Sequence, residues 1–238
     1  MNDKTIRLNK FLSNAGICSR READELIKMG LVQINGQIIT EMGFKVKYND
    51  EVKYDGSRIQ QSPPEYLLLN KPKGFVATAR GAKIKKSVQE LINSGVKTKI
   101  PPIGDMGRPI TGLLFFTSDE ILRKKLNNST SIPMIYQVTL DQNITNDMMK
   151  KLKEGQMIFD KMQKVNKISN VDGKSKKEVG VEVHSISPAI LQKLFTSIGL
   201  KVIQMDRVVY GGLNKKDLPR GNWRKLSSKE IGFMKMFS

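Results

Sequence analysis

Apolar and polar positions in the first fifty residues follow a helical period and then the period of a strand. Four apolar residues at helical spacing predict a first short helix: Ile6, Leu8, Phe11 and Leu12. Ser19 and Glu22 form a capping box that predicts the start of a second helix, which Gly30 ends. The apolar residues at 32, 34 and 38 flank Asn35-Gly36, and Asn-Gly favours the left-handed conformations of a tight turn. The pattern therefore predicts two helices followed by a β-hairpin.

Beyond residue 64, buried-strand patterns alternate with capped helices. The strand patterns are at residues 66–70, 134–140 and 177–184, and the helix starts are at Ser87, Ser118 and Ser187, with a closing helix over 227–237. The polar run 164–177 is interpreted as a hairpin tip. This alternation predicts a second, larger domain that contains both strands and helices.

The two patterned regions are separated by a stretch without apolar periodicity. Residues 56–64, GSRIQQSPP, end in a proline pair and are typical of an interdomain linker. We therefore expect a small domain over residues 1–58, a linker over 59–64 and a larger domain over 65–238.

The net charge of the chain indicates which class of partner the protein binds. The 238 residues carry a net charge of +18 that is dispersed along the chain, which favours a folded surface that binds a polyanion such as nucleic acid. An anionic membrane surface is the alternative, but no apolar run reaches the ~18 residues of a spanning helix and the N-terminus lacks a signal peptide. We expect a cytoplasmic protein with no membrane partner. A single cysteine, Cys18, and a single histidine, His184, argue against a disulfide framework and against a metal site.

The stretch Pro101–Glu120, PPIGDMGRPITGLLFFTSDE, combines a Gly- and Pro-rich loop with an apolar strand. Gly104, Gly107 and Gly112 allow the backbone to bend and to approach a ligand closely, as an active-site loop requires. A tight turn before a buried strand explains the same glycines without any site. The pattern alone leaves both interpretations open.

Several motifs resemble the bacterial ribosomal pseudouridine synthases of the RsuA/RluB/RluF type. The loop motif is carried by Gly104, Arg108, Gly112, Leu113, Leu114, Thr117 and Asp119. Residues 69–74, LNKPKG, and Arg207 before the Tyr-Gly-Gly-Leu of 210–213 resemble two further motifs of that family. Residues 19–37, SRREADELIKMGLVQINGQ, are similar to the small RNA-binding module first known from the fourth small-subunit ribosomal protein.

The resemblance implies an α+β protein with a mixed, mainly antiparallel sheet and a central cleft, acting on ribosomal RNA as a monomer without metal or cofactor. Ribosomal RNA or a ribosome assembly intermediate is the implied partner. Tyr136 stands where the family has a tyrosine beside the uracil, although an ordinary strand aromatic explains it equally well. The implied RNA contacts are Arg7, Lys10, Arg20, Arg21, Lys71, Lys73, Arg108 and Arg207.

The chain departs from the family at the residue that does the chemistry. In the family an aspartate attacks the uridine, and Gly107 occupies that position here, so no side chain supplies the nucleophile. The nearest carboxylate is Asp105, and two extended residues span ~6.6 Å, beyond an attack distance of ~3–3.5 Å.

A second departure affects the cations that line the family's cleft. They are replaced by Ile186, Ser187, Pro188, Ala189 and Gln192, and Lys193 alone is retained. We therefore expect an RNA-binding protein without synthase activity. An active synthase that uses Asp105 and a protein-interaction module on the ribosome are the alternatives.

Overall fold

The computed structural model describes residues 5–47, 49–59, 63–78, 86–93 and 100–238. The chain divides into two compact units, residues 1–64 and 65–238. Residues 60–62 of the predicted linker and the predicted helix end at Gly95 lie outside the described residues. Over the described ranges, no helix has both the length and the apolar character needed to cross a membrane.

The first unit contains two helices and short strands. Its elements are β1 (Thr5–Arg7), α1 (Leu8–Asn14), α2 (Arg20–Lys28), β2 (Val32–Ile34), β3 (Gln37–Ile38), β4 (Lys45–Lys47), β5 (Val52–Tyr54) and β6 (Ser57–Arg58). The capping box is present, because Ser19 accepts from the Glu22 amide and the Glu22 carboxylate accepts from the Ser19 amide. The predicted hairpin is confirmed as β2 and β3. Ile6 was predicted in the first helix but pairs with Val46 between β1 and β4, so that helix begins at Leu8.

The second unit holds the larger sheet. Its elements are β7 (Tyr66–Lys71), α3 (Val88–Ile92), β8 (Thr111–Thr117), α4 (Glu120–Asn128), β9 (Pro133–Leu140), α5 (Asn146–Glu154), β10 (Gln156–Ile158), β11 (Lys161–Gln163), β12 (Lys167–Asn170), β13 (Glu178–His184), α6 (Pro188–Ser197), β14 (Val202–Tyr210), β15 (Leu213–Asn214), β16 (Trp223–Lys225) and α7 (Ser228–Met236).

Eight of these strands form one mixed sheet among the described residues, in the order β12-β13-β9-β14-β8-β7-β16 with β15 beside β14. All its pairs are antiparallel except β14 with β8, which confirms the expected α+β fold with a mainly antiparallel sheet. The strand β12 occupies residues that the sequence predicted as a polar hairpin tip. That prediction is wrong for residues 167–170, because Ile168 is an apolar residue that β13 can bury at the sheet edge, whereas residues 171–177 connect the antiparallel strands β12 and β13.

Gly112 makes the central parallel pairing possible. It lies opposite Arg207, its φ is 101°, and a Cβ at this position would lie 2.2 Å from the Arg207 carbonyl oxygen. A side chain would therefore force β8 and β14 apart. This contact places Arg207 at the centre of the sheet, next to the loop that leads into β8.

Candidate functional site

A pocket of about 160 Å³ opens where the loop before β8 meets the loop between β13 and α6. The end of α4, the segment after it and the strands β9 and β14 complete the wall. The lining residues are Ile103, Gly104, Asp105, Leu126, Asn127, Ser129, Ile132, Met134, Ser185, Ile186, Ser187, Pro188, Arg207 and Tyr210. Apolar and polar side chains thus contribute about equally to the wall, and the charged groups among them are Asp105 and Arg207.

Arg207 supplies the cation of this pocket from the middle of β14. Its guanidinium is 4% exposed, and its Nε donates a hydrogen bond of 2.7 Å to the Leu113 carbonyl oxygen. The Arg207 Cζ lies 4.6 Å from the ring centroid of Tyr210, in cation–π range. The Arg207 Nη2 is buried and has no hydrogen-bond partner among the described residues. Since a buried donor without a partner is costly, an acceptor that reached this nitrogen would offset that cost.

Asp105 contributes a carboxylate to the wall of the same pocket. Its Oδ1 accepts hydrogen bonds from the Thr78 hydroxyl at 2.5 Å and from the Met106 amide at 2.8 Å. These two donors fix the orientation of the exposed carboxylate. Sequence spacing predicts a poor position for Asp105 in catalysis, but the structure brings Asp105 and Arg207 to one pocket.

Gly107 is exposed and does not line the pocket. It was predicted as a residue at which the backbone bends, but among the described residues its φ is not in the left-handed region, in contrast to Gly104 and Gly112. A Cβ at Gly107 would meet only the Pro109 Cδ, at 3.7 Å, which is an ordinary contact. The fold therefore does not require glycine here, and an aspartate would fit.

Lys71 holds the loop that carries these residues. Its ammonium is fully buried and donates to the carbonyl oxygens of Pro72, Gly107 and Ile110 at 3.2, 3.0 and 2.6 Å. The three carbonyl groups occupy the donors of Lys71 inside the protein, so the structure gives the predicted contact between Lys71 and RNA no support. Burial and, to a smaller extent, the charge of Arg220 lower the pKa of Lys71, the Asp105 carboxylate opposes both effects, and together they place this pKa at about 8.

This pKa predicts how the contribution of Lys71 to stability depends on pH. The pKa is lower in the folded than in the unfolded chain, so the unfolded chain binds more protons between pH 8 and 10.5. The free energy of unfolding of the unmodified protein should therefore rise through this window by about 3 kcal/mol relative to Lys71→Met. Urea unfolding of both proteins at the two pH limits measures this change. An unchanged difference between the two proteins would contradict the assignment.

Tyr136, which was predicted to lie beside the base, does not line this pocket. It is fully buried in β9, and its hydroxyl contacts Met134 Sδ at 3.6 Å and Arg207 Nη1 at 3.5 Å. The aromatic side chain that lines the pocket is Tyr210, which lies in the motif of 210–213 but was not assigned a role from the sequence. Burial raises the pKa of Tyr210 to about 12 although the charge of Arg207 lowers it, so its hydroxyl stays protonated at neutral pH.

The start of α6 forms a wall of the pocket without a cation. Ser187 caps the helix by accepting from the Ile190 amide at 3.3 Å, and Pro188 occupies the first turn and is buried. The exposed residues that follow are Ala189, Gln192 and Lys193.

The remaining predicted RNA contacts lie on both units. Arg7, Arg20 and Arg21 are exposed and Lys10 is half-buried in the first unit, and Lys73 and Arg108 are exposed in the second. The sequence did not indicate the ion cluster around Asp206, which accepts from Thr111 at 2.6 Å, from Arg220 at 2.7 Å and from Lys215. Burial raises the pKa of Asp206, but these three donors outweigh burial and the pKa lies below its ordinary value. No group of three or more histidine, cysteine or acidic side chains that could hold a metal occurs within the described ranges.

Comparison with protein families gives two matches. Residues 6–52 match the S4 domain family, and residues 65–197 match the family described as RNA pseudouridylate synthase. The chain is 22% identical to the protein in a crystal structure of a pseudouridylate synthase, with a TM-score of 0.64 over 96% of this chain and 99% of that one. This structural likeness shows a shared fold.

Two curated proteins are similar over nearly the whole chain. The ribosomal large subunit pseudouridine synthase B of Bacillus subtilis (strain 168) is 30% identical over 94% of this chain and 93% of its own length. The dual-specificity RNA pseudouridine synthase RluF of Escherichia coli (strain K12) is 30% identical over 96% of this chain and 78% of its own length. The chain is a member of the RNA pseudouridylate synthase family of the RluB/RluF type with an N-terminal S4 domain.

Proposed function

We propose that this protein binds ribosomal RNA, or a ribosome assembly intermediate, without converting uridine to pseudouridine. The observation that carries this proposal is Gly107, which stands at the position of the family's catalytic aspartate although the backbone has room for a side chain there. A covalent mechanism needs a nucleophile at that position, and glycine provides none. Because the fold does not require glycine, its presence indicates that the catalytic role has been lost.

The wall formed by α6 supports the same conclusion. An arginine fork holds a carboxylate or a phosphate through two hydrogen bonds, and Pro188, Ala189 and Gln192 cannot do so. Loss of the nucleophile together with its cationic neighbours is the expected result when an active site is no longer used. A nucleophile that had only moved would be expected to keep those cations.

RNA binding itself is supported by charge and by the first unit. The net charge of +18 favours a polyanionic partner, and the relatives are named as synthases that act on RNA. We assign residues 1–58 to RNA binding through Arg7, Lys10, Arg20 and Arg21, and residues 65–238 to further contacts through Lys73 and Arg108. Residues 59–64 would link the two binding sites, so that each raises the effective concentration of the other.

The position of Asp105 favours a second candidate function, an active synthase with a displaced nucleophile. Asp105 lines the same pocket as Arg207 and Tyr210, which supports a role for its carboxylate near a bound base. Against this role, Thr78 and the Met106 amide already donate to one of its oxygens and stabilise the charge, which makes the carboxylate a weaker nucleophile.

Tritium release from ribosomal RNA labelled at uridine distinguishes the two functions. We expect no release above background by the unmodified protein, and the same result for Asp105→Asn, which keeps the size of the side chain. RNA affinity measured in parallel shows that both proteins still bind. Release by the unmodified protein that is lost in Asp105→Asn would make the second candidate correct and the first wrong.

A further inference from the structure

The hairpin of β10 and β11 carries an aromatic residue that the fold does not use. Phe159 and Asp160 form its two-residue turn, with φ values of 52° and 57°, and the Phe159 side chain is 69% exposed. Left-handed backbone is unfavourable for a bulky side chain, and this type of turn favours Asn-Gly. Because the Phe159 backbone is strained and its side chain is exposed, packing in the core does not explain why phenylalanine occupies this position. Such a residue points to a role in contact with a partner.

A cation from α6 lies on the Phe159 ring. The Lys193 Nζ is 3.8 Å from the ring centroid, which is within cation–π range. The helix that carries Lys193 begins at Pro188, in the wall of the pocket. Lys193 follows Pro188 by five residues, which corresponds to about 7.5 Å along the helix axis. The Phe159 ring therefore lies beside α6, just beyond the end of the helix that lines the pocket. A strand of RNA that reaches the pocket is therefore within reach of Phe159.

The charges around this ring favour a polyanion. Lys153, Lys161 and Lys164 are exposed near the hairpin, and none of the three forms an ion pair within the part of the chain that the structure describes. The acidic residues nearby along the chain are Asp160 and Glu154, and Glu154 lies 3.8 Å from Lys150. A surface that combines cations with an exposed aromatic ring is typical of proteins that bind single-stranded nucleic acid.

We propose that Phe159, with Lys193 against its ring, is a stacking platform for an unpaired base of the bound RNA. The inference rests on the proposed RNA binding and adds a binding site to it. The exposed Met157 and Met162, which pair across the hairpin, extend the apolar surface beside the ring. The neighbouring lysines would contact the phosphates on either side of the stacked base, which explains why the apolar surface is bordered by positive charge.

The test compares Phe159→Leu with Phe159→Trp. Leucine keeps an apolar side chain and the same backbone strain but has no π face, whereas tryptophan keeps the π face. With a short single-stranded oligouridylate as probe, we expect Phe159→Leu to bind roughly tenfold more weakly with an unchanged salt slope, since stacking releases no counterions. Phe159→Trp should bind as the unmodified protein does, and its tryptophan fluorescence should be quenched by the oligonucleotide. The unmodified protein, whose single tryptophan is Trp223, provides the background signal.

The matched control is Phe233→Leu, the same change at an exposed phenylalanine of α7, which should leave affinity within twofold of the unmodified protein. If the unmodified protein binds RNA but Phe159→Leu binds equally well and the Phe159→Trp signal is not quenched, the stacking proposal is wrong while RNA binding stands. If the unmodified protein does not bind RNA at all, both proposals fail. A dimer in sedimentation that Phe159→Leu abolishes, with unchanged RNA affinity, would assign the ring to contact between copies instead.

Discussion

The Gly107→Asp variant is expected to remain without synthase turnover, although the side chain fits. Loss of the residue that forms a covalent intermediate costs on the order of a millionfold in turnover in other enzymes, so the starting activity is below detection. The restored carboxylate would lack the guanidinium partners that keep it ionised and oriented. We expect turnover only when Asp105→Arg, Ala189→Arg and Gln192→Arg are combined with Gly107→Asp, because positions 189 and 192 are exposed on α6 and accept long side chains.

Pro188 is left unchanged in this combination because it is buried in the first turn of α6, where a polar side chain would disturb the helix start. The matched control carries Gly107→Asn in place of Gly107→Asp within the same combination. Asparagine keeps the shape of the side chain and removes the nucleophile. Tritium release from uridine-labelled ribosomal RNA is the measurement. Turnover by the single Gly107→Asp variant would show that the pocket has kept what catalysis needs and that the lost cations are not essential.

Affinity for structured ribosomal RNA is expected to fall steeply with salt. Each phosphate neutralised by lysine or arginine adds roughly −0.7 to −0.9 to the slope of log affinity against log salt, and six to ten such contacts lower affinity by about 10³–10⁵-fold between about 50 and 200 mM salt. The net charge of +18 and the exposed cations of the first unit make a slope of this size the expected one. Fluorescence anisotropy at several salt concentrations measures it.

The contact surface is tested by Arg20→Ala combined with Arg21→Ala, which should reduce the magnitude of the slope by roughly 1.4 to 1.8 if both side chains contact phosphates. The matched control is Lys229→Ala combined with Lys235→Ala, which removes the same charge from the exposed surface of α7 in the second unit. An equal effect of both pairs would mean that overall charge, rather than a local contact, attracts the RNA. A slope near zero for the unmodified protein would contradict the electrostatic explanation altogether.

Local sequence determined most of the elements. Ser19 and Ser227 each begin a helix through a capping box that needs a glutamate three residues later, and both boxes are present. The alternation of Pro133–Leu140 places Met134, Tyr136, Val138 and Leu140 on the buried side of β9. These features were predictable because the groups that stabilise them are a few residues apart along the chain.

Gly112 and Gly107 show where such prediction ends. Both are glycines of the stretch 101–120, and local sequence does not show which of them the fold requires. Gly112 is required because the backbone of Arg207, 95 residues later, lies against it, whereas Gly107 has free space at its Cβ position. The distinction depends on how two distant strands pair, which no local pattern encodes.

The sequence by itself determined the family resemblance, most of the element order and the glycine at the position of the family's nucleophile, since each is a property of residue type and spacing. Tertiary structure alone decided that Lys71 is buried against three carbonyl groups, that Tyr210 rather than Tyr136 lines the pocket, and that Asp105 lies in the same wall as Arg207. The reason is physical: burial and the direction of a side chain depend on which segments pack against it, and those segments lie far apart in the chain.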